Sequence, residues 1–288
     1  MALMDFFEKR KEGTGNADEM SFIDHLEVLR WHLVRSVIAV VVGAILVFSF
    51  SNFFVDDIIF GPTKAGFVSI EWLCKMGRAV GIGDGLCFKA TDTQFIETAL
   101  TGQFIASFTV AFVGGFIIAF PYIFWEIWRF IKPALSDSER KGTRGIIFWV
   151  SVLFFLGVAF GYFILTPLMV QFYFNYKLSE EITIMPTFTD YLENVIYTTV
   201  GIGVLFQMPL LVLLLAKTGI ITSQFLKKYR RHAFVIIIIA AAIITPTTDP
   251  FSLAVVTVPL YILFEISILL AQKAEKKNND TMEIQEWS

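Results

Sequence analysis

Long apolar blocks alternate with short polar ones along most of this chain. Ser36 to Phe54, Phe104 to Phe124, Ile146 to Phe174 and Tyr197 to Ala216 are each long enough to cross a hydrocarbon core of roughly 30 Å as a helix. Ala233 to Thr245 and Phe251 to Ala271 follow, separated by a PTTDP turn. The first of that pair is short enough for a buried or re-entrant piece. Its flanks argue for a separate crossing: KKYRR precedes it, and Pro246, Asp249 and Pro250 break it before the next apolar run. The pattern predicts an all-α integral membrane protein of six helices, the fifth unusually short. Pro121, Pro167, Pro209 and Pro259 fall inside four of the spans and predict kinks there, hence a curved wall rather than straight packing.

Composition agrees with that class. Hydrophobic residues are 56% of the chain, charged ones 17%, and the mean hydropathy is +0.67, outside the range of a soluble globular domain. Orientation follows from the cations. All but five of the 23 Lys and Arg residues lie in the N-terminal region, the second and fourth loops and the tail. The five on the other side are Lys64, Lys75, Arg78, Lys89 and Lys177. Lys and Arg accumulate on the cytoplasmic side, so both termini are expected there. The net charge of −3 adds nothing, because acids contribute little to topology.

Three regions follow: a polar N-terminal tail (1–20), a membrane domain (21–272) with an outer loop (55–102), and a polar tail (273–288) expected to be disordered. The N-terminus does not read as a cleaved signal peptide, since polar residues precede the first span and no small-residue cleavage site follows it. Cys74 and Cys87, the two cysteines of the chain, both fall in the outer loop. They are either free thiols or a loop-stapling disulfide; the second is expected in an oxidising compartment and would add roughly 3 kcal/mol on the chain-entropy account.

Candidate chemistry gathers on the cation-rich side. The loop FIKPALSDSERKGTRG, from Phe130 to Gly145, with Arg129 just before it, holds Lys132, Arg140, Lys141 and Arg144 around Asp137 and Glu139, beside Pro133. An acid among cations either pairs locally, Glu139 with Arg140 for example, or offers a site to something basic. SFIDHLEVLRWHLVRS forms an amphipathic helix, with Ser21 and Asp24 as a weak capping box and Phe22, Leu26, Leu29 and Leu33 along one face. Its Asp24, Glu27 and Arg30 are either a solvated, self-paired face or part of that same site. At membrane depth, Gln207 and Glu265 are functional suspects by default, Glu265 being equally readable as structural at the interface. Thr245, Thr247, Thr248 and Asp249 cluster at the outer turn.

FIDHLEVLR before the first span, FIKPALSDSER after the second, ITPTTDPFS between the fifth and sixth, and LFE within the sixth together resemble the TatC family, receptor subunits of the twin-arginine protein translocase. The likeness runs from about Ser21 to Gln272. It implies a cupped six-helix bundle in the bacterial cytoplasmic (inner) membrane. On its cytoplasmic face such a bundle binds signal peptides bearing consecutive arginines. It passes folded cargo across the membrane with TatA/TatB-type single-span subunits, in an assembly holding more than one copy, driven by the proton motive force. The family's loop acid falls on Glu139, with Arg140 after it, its aromatic on Phe130, and the arginine of its N-terminal motif on Arg30. Four positions depart from the family pattern. Val28 stands where an acid is frequent, leaving Glu27 one residue, about 100° of helix, away. His32 stands where a basic residue is frequent, Gln207 replaces a glutamate, and Leu253 replaces a glutamine in the partner-docking region around Thr245 and Asp249.

A guanidinium and a carboxylate make a bidentate, charge-assisted pair that lysine does not reproduce. Each such bond contributes roughly 1.5–3 kcal/mol when sheltered and close to nothing when exposed, so the acceptor acids should be shielded, with Phe130 excluding water. The rest of the affinity is expected from the peptide's apolar stretch lying on the bundle. No phosphate-binding loop, HExxH or GxSxG motif is present, and GIGDG at 81–85 has no strand before it; neither an enzyme, a metal or cofactor site, nor a nucleic-acid partner is expected. Six helices of roughly 10 Å diameter enclose no passage for a folded domain of about 13 Å radius of gyration, so partners must supply it. A small-solute secondary transporter is the alternative; it would favour an internal repeat and midplane charges. A scaffold without substrate is a third reading.

Overall fold

The computed structural model describes residues 22–64, 66–79, 94–132, 145–176, 178–179, 181, 185–217, 220–245 and 250–286. Among them the regular elements are helical, and the one sheet-like contact is an isolated parallel bridge between Ile96 and Thr187. Five helical stretches are long and apolar enough to cross a membrane: Glu27–Ser49, Gly102–Ile131, Ile146–Asn175, Phe188–Ala216 and Ser252–Lys273.

The first two stretches lie in α1 (Phe22–Ser49) and α3 (Gly102–Ile131), flanking α2 (Val68–Ala79). α1 and α3 form the most extensive helix pair, and small residues explain why. Gly43 and Gly115 face each other so closely that a Cβ on Gly43 would sit 2.8 Å from the Gly115 carbonyl oxygen. Helices without water between them gain from such close backbone approach. One turn away, Val47 fills the space over Gly114, whose Cβ would meet its methyls at 3.1 Å.

The third stretch is α4 (Ile146–Phe160) and α5 (Thr166–Asn175), joined by a π-helical turn over Gly161–Leu165. The fourth is α6 (Phe188–Leu205) and α7 (Met208–Lys217), separated at Phe206–Gln207. Gly157 packs on Gly203, and Gly161 on the Thr199 backbone, so glycine contacts join these two stretches as well. Pro167 and Pro209 thus sit at helix interruptions. Pro121 and Pro259 lie inside helices that stay continuous, because a single missing N–H in a long apolar helix is absorbed by its neighbours. The four prolines therefore fall into two kinds.

The short α8 (Ser223–Lys228) begins at Thr222, whose hydroxyl accepts from the Phe225 N–H. It leads into α9 (Arg230–Ile244), 15 residues long and so about 22 Å at the usual rise. That is shorter than the hydrocarbon core, as the apolar block predicts. α10 runs from Pro250 to Glu286, so the helix passes Gln272 and enters the tail (273–288) whose polarity suggested disorder. The segment AQKAEKK has good helix formers and neither Gly nor Pro, which lets the turn propagate. It is also tethered: Glu275 accepts from the Ser223 N–H and hydroxyl, both at 2.5 Å.

Two apolar cores result. One joins α6, α7, α9 and α10 through Ile202, Phe206, Ile237, Ala241, Val256, Leu260 and Phe264. The other joins α1, α3, α5 and α6 near the Glu97 end through Val47, Ala106, Val110, Met169 and Leu192. There Tyr162 and Tyr191 donate to the carbonyls of Ile58 and Ile59, at 2.6 and 2.7 Å, pinning the segment that follows α1. Cys74, on α2, is disulfide-bonded, and the chain's other cysteine, Cys87, lies outside the described residues.

Glu97 staples the connection before α3 to α6. It accepts from the Thr189 hydroxyl at 2.7 Å and the Ala99 N–H at 3.1 Å, and these bonds, Thr189 first, hold its carboxyl below the usual glutamate range. A depressed folded-state pKa gives stability that is complete above the unfolded value and lost as pH falls through the folded one. The melting temperature of the wild type should therefore exceed that of Thr189→Val at neutral pH, with the gap closing below about pH 4.

Candidate functional site at the cation-rich end

At one end of the α1–α3 pair, three side chains meet whose chemistry the spacing alone did not reveal. Glu126 lies on α3 inside an apolar span and is only 1% exposed. Its carboxylate accepts from the Tyr122 hydroxyl at 2.9 Å and pairs with His32 Nδ1 of α1 at 2.5 Å. The imidazole, 13% exposed, also meets the Phe130 ring edge-on, with centroids 6.1 Å apart. Helical periodicity makes this possible, since Tyr122, Glu126 and Phe130 recur every fourth residue and share one face. A carboxylate taken out of water needs such partners, because an unpaired one would cost several kcal/mol.

The residues singled out from sequence distribute around this cluster. Glu27 and Arg30 are exposed on the first turns of α1. Phe130 is half-buried against His32, and Arg129 lies over the Trp125 ring, 5.7 Å from its centroid. Glu139, Arg140, Asp137 and Asp249 fall outside the described residues, as does Cys87. Sequence reasoning missed Glu126, although an acid within WEIW carries the signal that makes any ionisable residue in a span suspect.

Gln207 sits where α6 ends, 9% exposed. Its amide nitrogen reaches the carbonyls of Val150 at 3.4 Å and Gly203 at 3.5 Å, long bonds that contribute little. Its Oε1 is buried and has no partner among the described residues. Gln207→Leu should accordingly leave the melting temperature within about 3 °C of wild type, since it removes an unsatisfied acceptor along with weak bonds. Gln207→Glu should lower it more at pH 8 than at pH 5, because a carboxylate there would face two carbonyl oxygens.

Glu265 accepts from Arg230 at 2.7 Å and from the Tyr261 hydroxyl at 3.0 Å. It ties α9 to α10 at the cation-rich end. Thr245 is buried and donates to the Ala241 carbonyl, closing the last turn of α9, while Leu253 packs against the α6–α10 core. Farther from the cations, an apolar groove of about 530 Å³ opens between α3, α4 and α6, lined by Val110, Ile117, Phe155, Val158, Tyr162 and Val195 among others.

Known proteins share both the sequence and this architecture. Residues 24–259 match the family described as Sec-independent protein translocase protein (TatC). A protein of that name from Blattabacterium sp. subsp. Periplaneta americana is 40% identical over 261 residues, covering 90% of this chain and 98% of its own length. Another from Deinococcus radiodurans is 34% identical, covering 86% and 84%. A crystal structure of the twin arginine translocase receptor TatC superposes with a TM-score of 0.64 at 29% identity, covering 87% of this chain and 99% of that one. With the sequence matched over most of its length and the helical arrangement matched over nearly the whole of a solved relative, this chain belongs to the TatC family.

Proposed function

We propose that this chain is the receptor and core subunit of a twin-arginine translocase. It binds Arg-Arg signal peptides at its cytoplasmic face and exports folded proteins with TatA/TatB-type single-span partners and further copies of itself, using the proton motive force. Family membership is the observation that carries this reading. The same reading makes α9 a sixth, short crossing, places both termini in the cytoplasm of a bacterial cell with the chain in its inner membrane, and turns the cation-rich end inward, as the asymmetry of Lys and Arg supports.

In this account Glu139 is the principal acceptor of the peptide's guanidinium groups. Phe130 limits water access, and Glu27, Arg30 and Arg140 border the site. The concave apolar groove supplies a wall of the kind the peptide's apolar stretch requires. Thr245, Asp249 and Gln207 belong to the partner-docking region, with Leu253 reducing its polarity. Glu265 acts structurally, through Arg230. No chemical step on the cargo is required, so the subunit is a receptor rather than an enzyme.

The test is complementation. A bacterial strain lacking its own TatC-type subunit, supplied with this chain and matching single-span partners, should export a folded reporter behind an Arg-Arg leader and not behind a Lys-Lys leader. Export of both leaders alike, or uptake of a small solute by liposomes holding the chain alone, would contradict it.

A further inference from the structure

The buried Glu126–His32 pair belongs to none of the roles above, yet it lies between two of the residues assigned to peptide recognition. His32 follows Arg30 by two residues on α1, Glu126 precedes Phe130 by four on α3, and the His32 ring touches both the Glu126 carboxylate and the Phe130 ring. We propose that Glu126 and His32 are positioning residues for signal-peptide recognition: Glu126 holds the imidazole against Phe130 and so fixes the Arg30 turn of α1 relative to α3. The inference rests on the receptor reading.

Three observations make the pair more than filler. At the Gly43–Gly115 crossing the two backbones come too close for a Cβ on either glycine, and the cation-rich ends of the helices beyond it are held by the Glu126–His32 clasp. The clasp is polar and nearly dry, where a charge-assisted bond is strong. It is also directional, because Tyr122 takes the other carboxylate oxygen and leaves His32 Nδ1 the one oxygen facing α1.

The experiment uses the full chain in lipid nanodiscs and fluorescent peptides carrying Arg-Arg or Lys-Lys, with spin labels on exposed positions of α1 and α3 to read the separation of the two helices. Wild type should prefer Arg-Arg. His32→Ala and Glu126→Gln should bind Arg-Arg about tenfold more weakly and widen the distance between the labels. His32→Arg keeps a cation opposite Glu126, so it should restore most of the affinity and the wild-type distance.

A wild type that binds both peptides equally would overturn the receptor reading, and this inference with it. A wild type that discriminates would overturn the inference alone in either of two cases. In one, His32→Ala and Glu126→Gln bind as wild type does; in the other, they bind more weakly with the distance between α1 and α3 unchanged. If His32→Ala fails to fold, Glu126→Gln and His32→Arg still decide.

Discussion

Replacing Gly115 by leucine should abolish folded protein in detergent extracts, while Gly114→Ala, one residue away, should melt within a few degrees of wild type. A Cβ at Gly115 would run into the Ala44 backbone nitrogen and lie 2.8 Å from the Val40 carbonyl oxygen. Backbone cannot rotate aside as a side chain can, so α1 and α3 would have to separate. Overpacking a well-packed interior typically costs about 1–3 kcal/mol, and four added carbons that meet main chain should exceed that range, enough to remove the marginal stability of a folded chain. At Gly114 the added methyl meets only the Val47 side chain, at 3.1 Å, which can shift by the needed fraction of an ångström. Fluorescence-detected size exclusion after a temperature ramp reads both. Equal behaviour of the two variants would mean that the close crossing does not hold the pair together.

The second large effect is expected at Glu139. Glu139→Ala should reduce export of an Arg-Arg reporter by about 10–100-fold, the equivalent of one sheltered charge-assisted bond, with protein levels unchanged. Glu27→Ala should cost less, because its side chain points about 100° away from the direction of the family's acid at the Val28 position. Restoring that acid with Val28→Glu should then strengthen export. A Glu27→Ala defect as deep as that of Glu139→Ala would show that the displaced acid has taken over the family role.

Much of this architecture was legible in the sequence. The apolar blocks located the five long spans, since a segment that must satisfy its backbone without water has few choices beyond a helix, but the helices start as much as nine residues before the blocks at Ser36 and Tyr197, where polar side chains continue the turn. The brevity of α9 followed from the same count. The two kinds of proline were not legible, because whether a helix continues past Pro121 or breaks near Pro209 depends on neighbours contributed from elsewhere in the chain. Composition does not show the start of the tail held in place for a similar reason: the Glu275 bonds to Ser223 bridge elements that no local window contains.

The site shows the same division. Phe130, Arg30 and Glu27 were singled out through motif order and charge. Glu265 was weighed as a functional or a structural group, and its structural partner, Arg230, appears only once α9 and α10 are placed together. Glu126 had a local signal, an acid within an apolar run, but its meaning depends on His32, 94 residues away.

The proposed receptor role requires that the Glu139 carboxylate distinguish paired guanidinium groups from paired ammonium groups. The most direct measurement is the affinity of the full chain in nanodiscs for an Arg-Arg signal peptide and its Lys-Lys counterpart, with and without Glu139→Ala. A preference for Arg-Arg of about tenfold or more that Glu139→Ala erases is the predicted result. Equal binding of both peptides by the wild type, or a preference that survives the substitution, would contradict it.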